Sequence, residues 1–132
     1  RLRVLIPSDV EWTILEELEP VLEVFLNRTK QFSQSGVPLL HEVIPAIDKL
    51  TEVLGKVRDN DELNSAVRFA VTKGITMLNK YYGKTDYSDV YRVAMVMHPR
   101  FKAEYFRRQD WQPDWVENAI KIARQIWQKD YR

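Results

Sequence analysis

The sequence lacks cysteine and holds only two histidines among its 132 residues. Without cysteine there is no disulfide, no thiolate metal ligand and no thiol nucleophile, a pattern that fits a reducing compartment. No apolar run approaches the roughly 18 residues needed to span a bilayer, so no membrane partner is expected. The sequence also lacks alternating β-branched runs, fixed-period repeats and low-complexity tracts, which argues against sheet proteins and repeat arrays.

The composition is that of an ordinary globular protein, with 45% hydrophobic and 30% charged residues. Twenty basic against nineteen acidic residues give a net charge of +1, so only local clustering can indicate a nucleic-acid partner. The length suits one domain. We therefore interpret residues 1–132 as a single helical domain. Because the chain starts with Arg1 rather than Met, we also interpret it as a fragment of a larger protein.

Apolar residues at helical spacing predict three long helices in the first half of the chain. Ser8 and Glu11 match a capping box at the first helix start, and Pro20 should kink or divide that helix. The predicted boundaries are residues 9 to 33, a second helix from near Pro38 with a bend at Pro45, and a third from the cap at residues 58–61 to Gly83. The apolar stripe predicted for the third helix is Leu63, Val67, Ala70, Gly74, Met77 and Tyr81.

Three shorter elements are predicted in the second half. Asp89 to Met97 is a mostly apolar helix that Pro99 should terminate, Phe101 to Arg108 is a brief helix, and Pro113 begins a final one. The final helix carries two adjoining apolar stripes, so Trp115, Ile122 and Ile126 are expected to pack against the long helices. The four tryptophans, Trp12, Trp111, Trp115 and Trp127, are interpreted as core anchors. The fold class is therefore all-α, a bundle of five or six helices with no sheet.

The sequence offers no metal site and no catalytic motif. His41 and His98 have no ligand partner at the i, i+4 spacing of a helical zinc site. Residues 59–61 resemble the opening of a calcium loop, but the glycine and glutamate that such a loop requires are missing, so a helix cap is the better interpretation. Six acidic residues from Asp9 to Glu23 are interpreted as a solvated helix face and not as a metal site, because metal ligands must converge from separate elements. Glu11, Glu16 and Glu17 could instead meet a basic partner surface.

Basic residues cluster later in the chain, interleaved with aromatic residues. This composition suits contact with phosphates, together with stacking on bases. The alternative is that the aromatic side chains are core and the cations form a solvated rim or pair with the acidic first helix. The candidate DNA-binding residues are Arg92, Arg100, Lys102, Arg107 and Arg108.

Several of these residues fall in patterns that resemble the hAT superfamily of DNA transposases, especially its fungal members. In the first half the resemblance is carried by Glu11-Trp12, Phe25, Thr29, Pro38, Pro45 and Leu50. In the second half it is carried by Tyr81-Tyr82, Tyr91, Ala94, residues 97–102 (MHPRFK), Tyr105-Phe106, Trp111, Trp115, Trp127 and Tyr131. Two departures stand out: Val24 replaces a proline that the family often has before Phe25, and Met97-His98 replaces the commoner Leu-Asp.

The family carries an Asp, Asp, Glu metal site on an RNase H-like domain, with a large helical insertion between the second Asp and the Glu. The resemblance implies that this chain is that insertion, which is not an enzyme by itself and holds no catalytic residue or cofactor. The parent protein would transpose DNA with Mg²⁺ or Mn²⁺. The implied partners are DNA, bound weakly and without sequence preference, the rest of the transposase chain and further copies of the parent, in the nucleus or else the cytosol.

Two other functions fit the sequence. One is a helical protein-interaction module that docks through the seam from Leu40 to Val57 or through the acidic first helix. The other is a domesticated transposase remnant that acts as a DNA-binding regulator. Sequence flanking the fragment would separate such a remnant from an active transposase, because a relic should lack one or more of the three carboxylates.

Overall fold

The computed structural model describes residues 6–131, and α-helices make up most of this part of the chain. The helices are α1 (Asp9–Phe32), α2 (Val43–Arg58), α3 (Ser65–Thr85), α4 (Val90–Met97), α5 (Lys102–Arg108) and α6 (Pro113–Asp130), with a 3₁₀ turn (Leu40–Glu42) before α2. Between residues 6 and 131 there is no strand. The predicted all-α fold of five or six helices is therefore confirmed.

The chain divides into two compact units, each with its own apolar core. Among the described residues, the first unit comprises 6–36 and 46–80, and so contains α1 and most of α2 and α3. The second comprises 37–45 and 81–131, and so contains the 3₁₀ turn and α4 to α6. Within residues 6–131, no helix is both long and apolar enough to cross a membrane.

The start of α1 is fixed by the predicted capping box. The Ser8 hydroxyl accepts a hydrogen bond from the Glu11 N–H at 3.4 Å, and the Ser8 N–H donates to the Glu11 carboxylate at 2.7 Å. That backbone hydrogen bond lowers the pKa of Glu11. Pro20 does not divide the helix, which runs unbroken past it. Pro45 lies in the first turn of α2, where its missing N–H would have no intrahelical partner in any case.

The core of the first unit is formed by side chains from all three of its helices. Around it pack the partly buried Ile14, Leu18 and Phe25 of α1. The buried members are Val21, Leu54, Val67, Val71 and Ile75.

The apolar stripe predicted for α3 is wrong, because the helix is rotated about its axis and buries a neighbouring face instead. Of its members only Val67 is buried, while Ala70, Met77 and Tyr81 are exposed. Val67, Val71 and Ile75 recur every four residues and bury more apolar surface than the row containing Ala70, so α3 turns that face inward.

The cap of α3 also differs from the predicted one at residues 58–61. The Asn64 side-chain oxygen accepts the Ala66 N–H at 2.9 Å, while Asp59 pairs with Arg58 instead. Glu17 of α1 reaches the same turn, where its carboxylate accepts the Asn64 N–H at 2.7 Å. The helix then continues through Gly83, the predicted end, to Thr85.

The core of the second unit is built around Phe106, which is fully buried. It is joined by buried Ile44, Met95 and Val116. Partly buried aromatic side chains surround these four: Tyr82, Tyr91, Phe101, Tyr105 and Trp111. The interpretation of the aromatic residues among the basic ones as core is therefore confirmed for this segment.

Helix α6 packs on α4 and α5 through a narrow face of small residues, Val116, Ala119 and Ala123. The expected burial of Trp115, Ile122 and Ile126 is wrong for two of the three, because Trp115 is 53% exposed and Ile126 is 38% exposed. Alanines at the contact allow the helices to approach closely, and the larger side chains then fall outside it. The interpretation of the tryptophans as core anchors is wrong for three of them: Trp111 is partly buried, whereas Trp12, Trp115 and Trp127 are exposed.

Candidate nucleic-acid interface

The predicted basic segment begins at a sharp corner after α4. The helix ends at Met97, and the His98 N–H still donates to the Ala94 and Met95 carbonyls. The chain then turns through Pro99, and the backbone N–H groups of Phe101 and Lys102 both donate to the His98 carbonyl, at 3.2 and 3.1 Å. Proline cannot continue the helix, and these two bonds fix the path that the chain takes instead.

Lys102 adopts a left-handed backbone conformation at this corner, with φ of 50°. Residues with a side chain rarely adopt this conformation, which costs roughly 1–2 kcal/mol relative to the right-handed one. The surrounding hydrogen bonds and ring contacts must offset that cost. The corner is therefore held by its neighbours rather than by local preference.

Stacked rings anchor the corner to the second unit. The imidazoles of His41 and His98 lie 3.9 Å apart between centroids, and the Phe101 ring contacts both at 5.9 and 5.3 Å. Phe101 also meets Tyr105 edge to face at 5.4 Å. The Arg100 N–H donates to His98 Nδ1 at 3.3 Å.

The two histidines are isolated from each other in the sequence, and no local pattern signals their contact. They meet because the 3₁₀ turn that carries His41 packs on α4, which carries His98 at its end. The side chain of His41 is mostly buried, and its Nε2 lies 3.6 Å from the Glu42 carboxylate. Their role in the described structure is to hold the corner.

Four of the five candidate DNA-binding residues are exposed on this segment. Arg100 lies over the Phe101 ring, 5.7 Å from its centroid, and Lys102 follows at the corner. Arg107 and Arg108 flank Glu104 at 3.6 and 3.5 Å. Ion pairs this exposed contribute little to the free energy of folding. The two arginines can therefore exchange Glu104 for another anion at a small cost in stability. Arg100, Lys102, Arg107 and Arg108 are called the basic corner below.

The fifth candidate, Arg92, is not part of this exposed group. Its side chain is 14% exposed, and its guanidinium bonds the Asp89 carboxylate at 2.9 Å and the Asp86 carbonyl at 3.3 Å. Its Nε is buried without a partner. These contacts tie the start of α4 to the loop before it, so Arg92 has a structural role here.

The acidic residues of α1 do not converge on a metal site. They are distributed along one helix, and Glu11 and Glu17 already accept backbone N–H groups. In the part of the chain from residue 6 to 131, no group of three or more histidine, aspartate or glutamate side chains is placed to hold a metal ion.

Comparison with known proteins gives one informative similarity. The chain is 24% identical over 107 residues to a protein of Talaromyces stipitatus named "Putative transcriptional regulator tpeD", an alignment that covers 80% of this chain and 11% of that protein. The chain thus spans about a ninth of the length of the relative it matches. No family model matches it. No solved structure matches it either.

Proposed function

We propose that this chain is the helical insertion domain of a hAT-type transposase or of a protein descended from one, and that it contacts DNA through the basic corner. The observation that supports this function is the exposure of four cations on a segment whose backbone is fixed by hydrogen bonds and stacked rings. Cations on a rigid support reach phosphates without losing much conformational entropy.

The contact would be independent of DNA sequence. Lys102 carries a point charge, and the arginines carry planar forks that suit phosphate oxygens. The described segment is an irregular corner followed by a helix of seven residues, and this is not a long recognition helix of the kind that enters a major groove. Positioning on the phosphate backbone is the role that such residues support.

In this proposal the chain has no catalytic residue of its own. The Mg²⁺ or Mn²⁺ of an active parent would be held by carboxylates outside this segment, and the domain would brace the active site and the DNA path. The parent would act in the nucleus, where its DNA substrate is. The cytosol remains the alternative location.

The second form of the proposal is a domesticated descendant that regulates transcription. The similarity to a protein named as a transcriptional regulator favours this form. The two forms differ in whether the parent retains the three catalytic carboxylates. Its complete sequence separates them, because loss of one carboxylate abolishes transposition but not phosphate contact.

A charge-removal experiment tests the DNA contact. The variant Arg100→Ala, Lys102→Ala, Arg107→Ala and Arg108→Ala is compared with the natural chain by fluorescence anisotropy on a duplex across a salt series. We expect weaker binding and a slope of log affinity against log salt that is shallower by about 0.9 for each phosphate that the variant no longer neutralises. Circular dichroism should show unchanged helix content.

A matched control removes four other exposed cations of the second unit, with alanine at Lys84, Lys121, Arg124 and Lys129. This control has the same net charge as the test variant. Equal loss of binding in both variants would mean that only overall charge matters, and would contradict a specific role for the basic corner. Unaltered binding in the test variant would contradict DNA contact there altogether.

A further inference from the structure

Helix α1 carries two apolar faces, of which the core of the first unit uses one. The inner face places Ile14, Val21 and Phe25 in or against that core. A second row lies beside it: Leu15 is 48% exposed, Leu22 is 57% exposed and Leu26 is 51% exposed. Spacings of seven and four residues put these three leucines on one side of the helix.

The outer row lines a shallow, open groove of about 520 Å³, and all of the residues that line it lie on α1. Its walls combine the leucine side chains with those of Glu19 and Glu23. From Leu15 to Leu26 the helix rises about 17 Å, or three turns, which is the length over which a short partner helix can pack.

The rim of this groove is acidic. Glu16, Glu19 and Glu23 recur at i, i+3 and i+7, so they form a row along one edge of the leucines. All three are exposed, and none of them takes part in an ion pair within residues 6–131. The first cations of α1 come only at Arg28 and Lys30, beyond the last leucine of the groove.

Helix stability does not account for this row. Carboxylates stabilise a helix when they lie in its first turn, a place that Asp9 and Glu11 fill. Glu16, Glu19 and Glu23 lie beyond that turn, where the favourable effect of the helix dipole has faded. Contiguous exposed apolar side chains with a charged rim are typical of a docking surface.

We propose that the α1 groove binds an amphipathic helix of a separate protein, with leucine-sized side chains at i, i+3 or i+4, and i+7, and with lysine or arginine along one flank. The charge of the rim argues against a second copy of this chain, because a second α1 groove carries another acidic row and not the basic row that would complement the first. The proposal does not rest on DNA contact, since the groove belongs to the first unit and the basic corner to the second.

The test uses a synthetic peptide of three heptads, with leucine at the two apolar positions of each heptad and lysine along one flank. Its binding to the 132-residue chain is measured by anisotropy, beside a peptide in which glutamate replaces every lysine. We expect micromolar binding of the lysine peptide, at least tenfold weaker binding of the glutamate peptide, and a loss of affinity as salt rises.

Variants of the exposed row identify the surface. Leu22→Asn with Leu26→Asn should weaken the lysine peptide at least tenfold, and Glu16→Gln, Glu19→Gln and Glu23→Gln together should weaken it severalfold and flatten its salt dependence. Phe69→Asn is the matched control, because Phe69 is also exposed on the first unit but lies on α3, and it should bind as the natural chain does.

Three outcomes would overturn the proposal. The first is equal binding of both peptides, which means nonspecific apolar association. The second is no binding by the natural chain. The third is self-association of the chain, seen by analytical ultracentrifugation and removed by Leu22→Asn, which assigns the groove to a second copy. The DNA-binding variant of the basic corner should bind the peptide normally, so failure of either proposal leaves the other standing.

Discussion

The rings of His41 and His98 lie face to face, with their planes 9° from parallel and their centroids 3.9 Å apart. This contact joins the 3₁₀ turn before α2 to the corner after α4, and α2, α3 and α4 all lie between the two histidines in the chain. A contact so distant in sequence closes a long loop, and its partners stabilise each other only in the folded chain.

We predict that the two histidines are energetically coupled. His41→Ala and His98→Ala should each destabilise the second unit, and the double variant should lose less than the sum of the two, by about 0.5–1.5 kcal/mol. Urea denaturation of all four chains gives this coupling free energy. A coupling near zero would show that the stack is a chance contact. Phe69→Ala paired with either histidine variant provides the additive control.

We predict a large loss of stability for Phe106→Ala. The side chain is fully buried and contacts Trp111, with ring centroids 4.6 Å apart, so its removal leaves a cavity in the core of the second unit. The expected cost is about 3–5 kcal/mol in the free energy of unfolding. Tryptophan fluorescence during urea titration measures it. Tyr87→Ala, at an exposed position, should change stability by less than about 0.5 kcal/mol, and a similar loss there would contradict this account.

We predict that Glu17 stabilises the first unit through one backbone contact. Its carboxylate accepts the Asn64 N–H at the start of α3, where helical N–H groups have no partner of their own. Glu17→Ala should therefore cost about 1–2 kcal/mol, since hydrogen bonds to charged groups exceed neutral ones. Glu16→Ala is the control on the same helix, at an exposed position. Equal unfolding midpoints for the two variants would refute the prediction.

We predict a pH-dependent contribution from Glu52. Hydrogen bonds from Lys49 and Lys56, at 2.8 and 2.7 Å, lower the pKa of this carboxyl from 4.5 to about 2. Because the folded-state pKa is depressed, the stabilisation is present above about pH 4.5 and is lost as the pH falls towards 2. Because both ion pairs are exposed, the thermal midpoints of the natural chain and of Glu52→Gln should differ only slightly at neutral pH, and this difference should vanish near pH 2. A difference that is constant with pH would contradict the assigned cause.

Some helix termini were predictable from the sequence because their chemistry is local, although the cap and the end of α3 were not. Ser8 and Glu11 form the capping box that their spacing indicates, and Pro113 is the first residue of α6. Such signals depend on neighbours within one turn, so a linear pattern contains them. The same holds for the end of α4 near Pro99.

The face that each helix turns toward the core was not predictable in the same way. Val67 belongs both to the predicted stripe of α3 and to the observed one, and the two diverge at the next turn, where Val71 rather than Ala70 is buried. The space available between packed helices determines which of the two rows is buried, and the spacing of apolar residues along the sequence does not reveal that space. In α6 the same ambiguity left Trp115 exposed beside buried Val116.

The candidate site was predicted as a charge cluster, and the structure separates its members. The exposure of Arg100 agrees with the position after Pro99, whereas Arg92 is held by Asp89 three residues earlier on the same side of the chain. An i, i+3 pair of opposite charge is visible in the sequence for both Arg92 and Arg107, so spacing does not separate them; the difference is burial, because the Arg92 side chain is 14% exposed and that of Arg107 is 61% exposed. The supporting His98 contact could not have been found, because its partner comes from a distant element.

At Lys102 the backbone is left-handed, so the stability of the fold and the positive charge of the basic corner favour different residues at this position. Glycine there would relieve the backbone strain and stabilise the fold, yet it would remove one of the four exposed cations. If the lysine serves DNA contact, selection for function retains a residue that selection for stability alone would discard. Among descendants of this protein, glycine or asparagine at position 102 would then mark the lineages that no longer bind DNA.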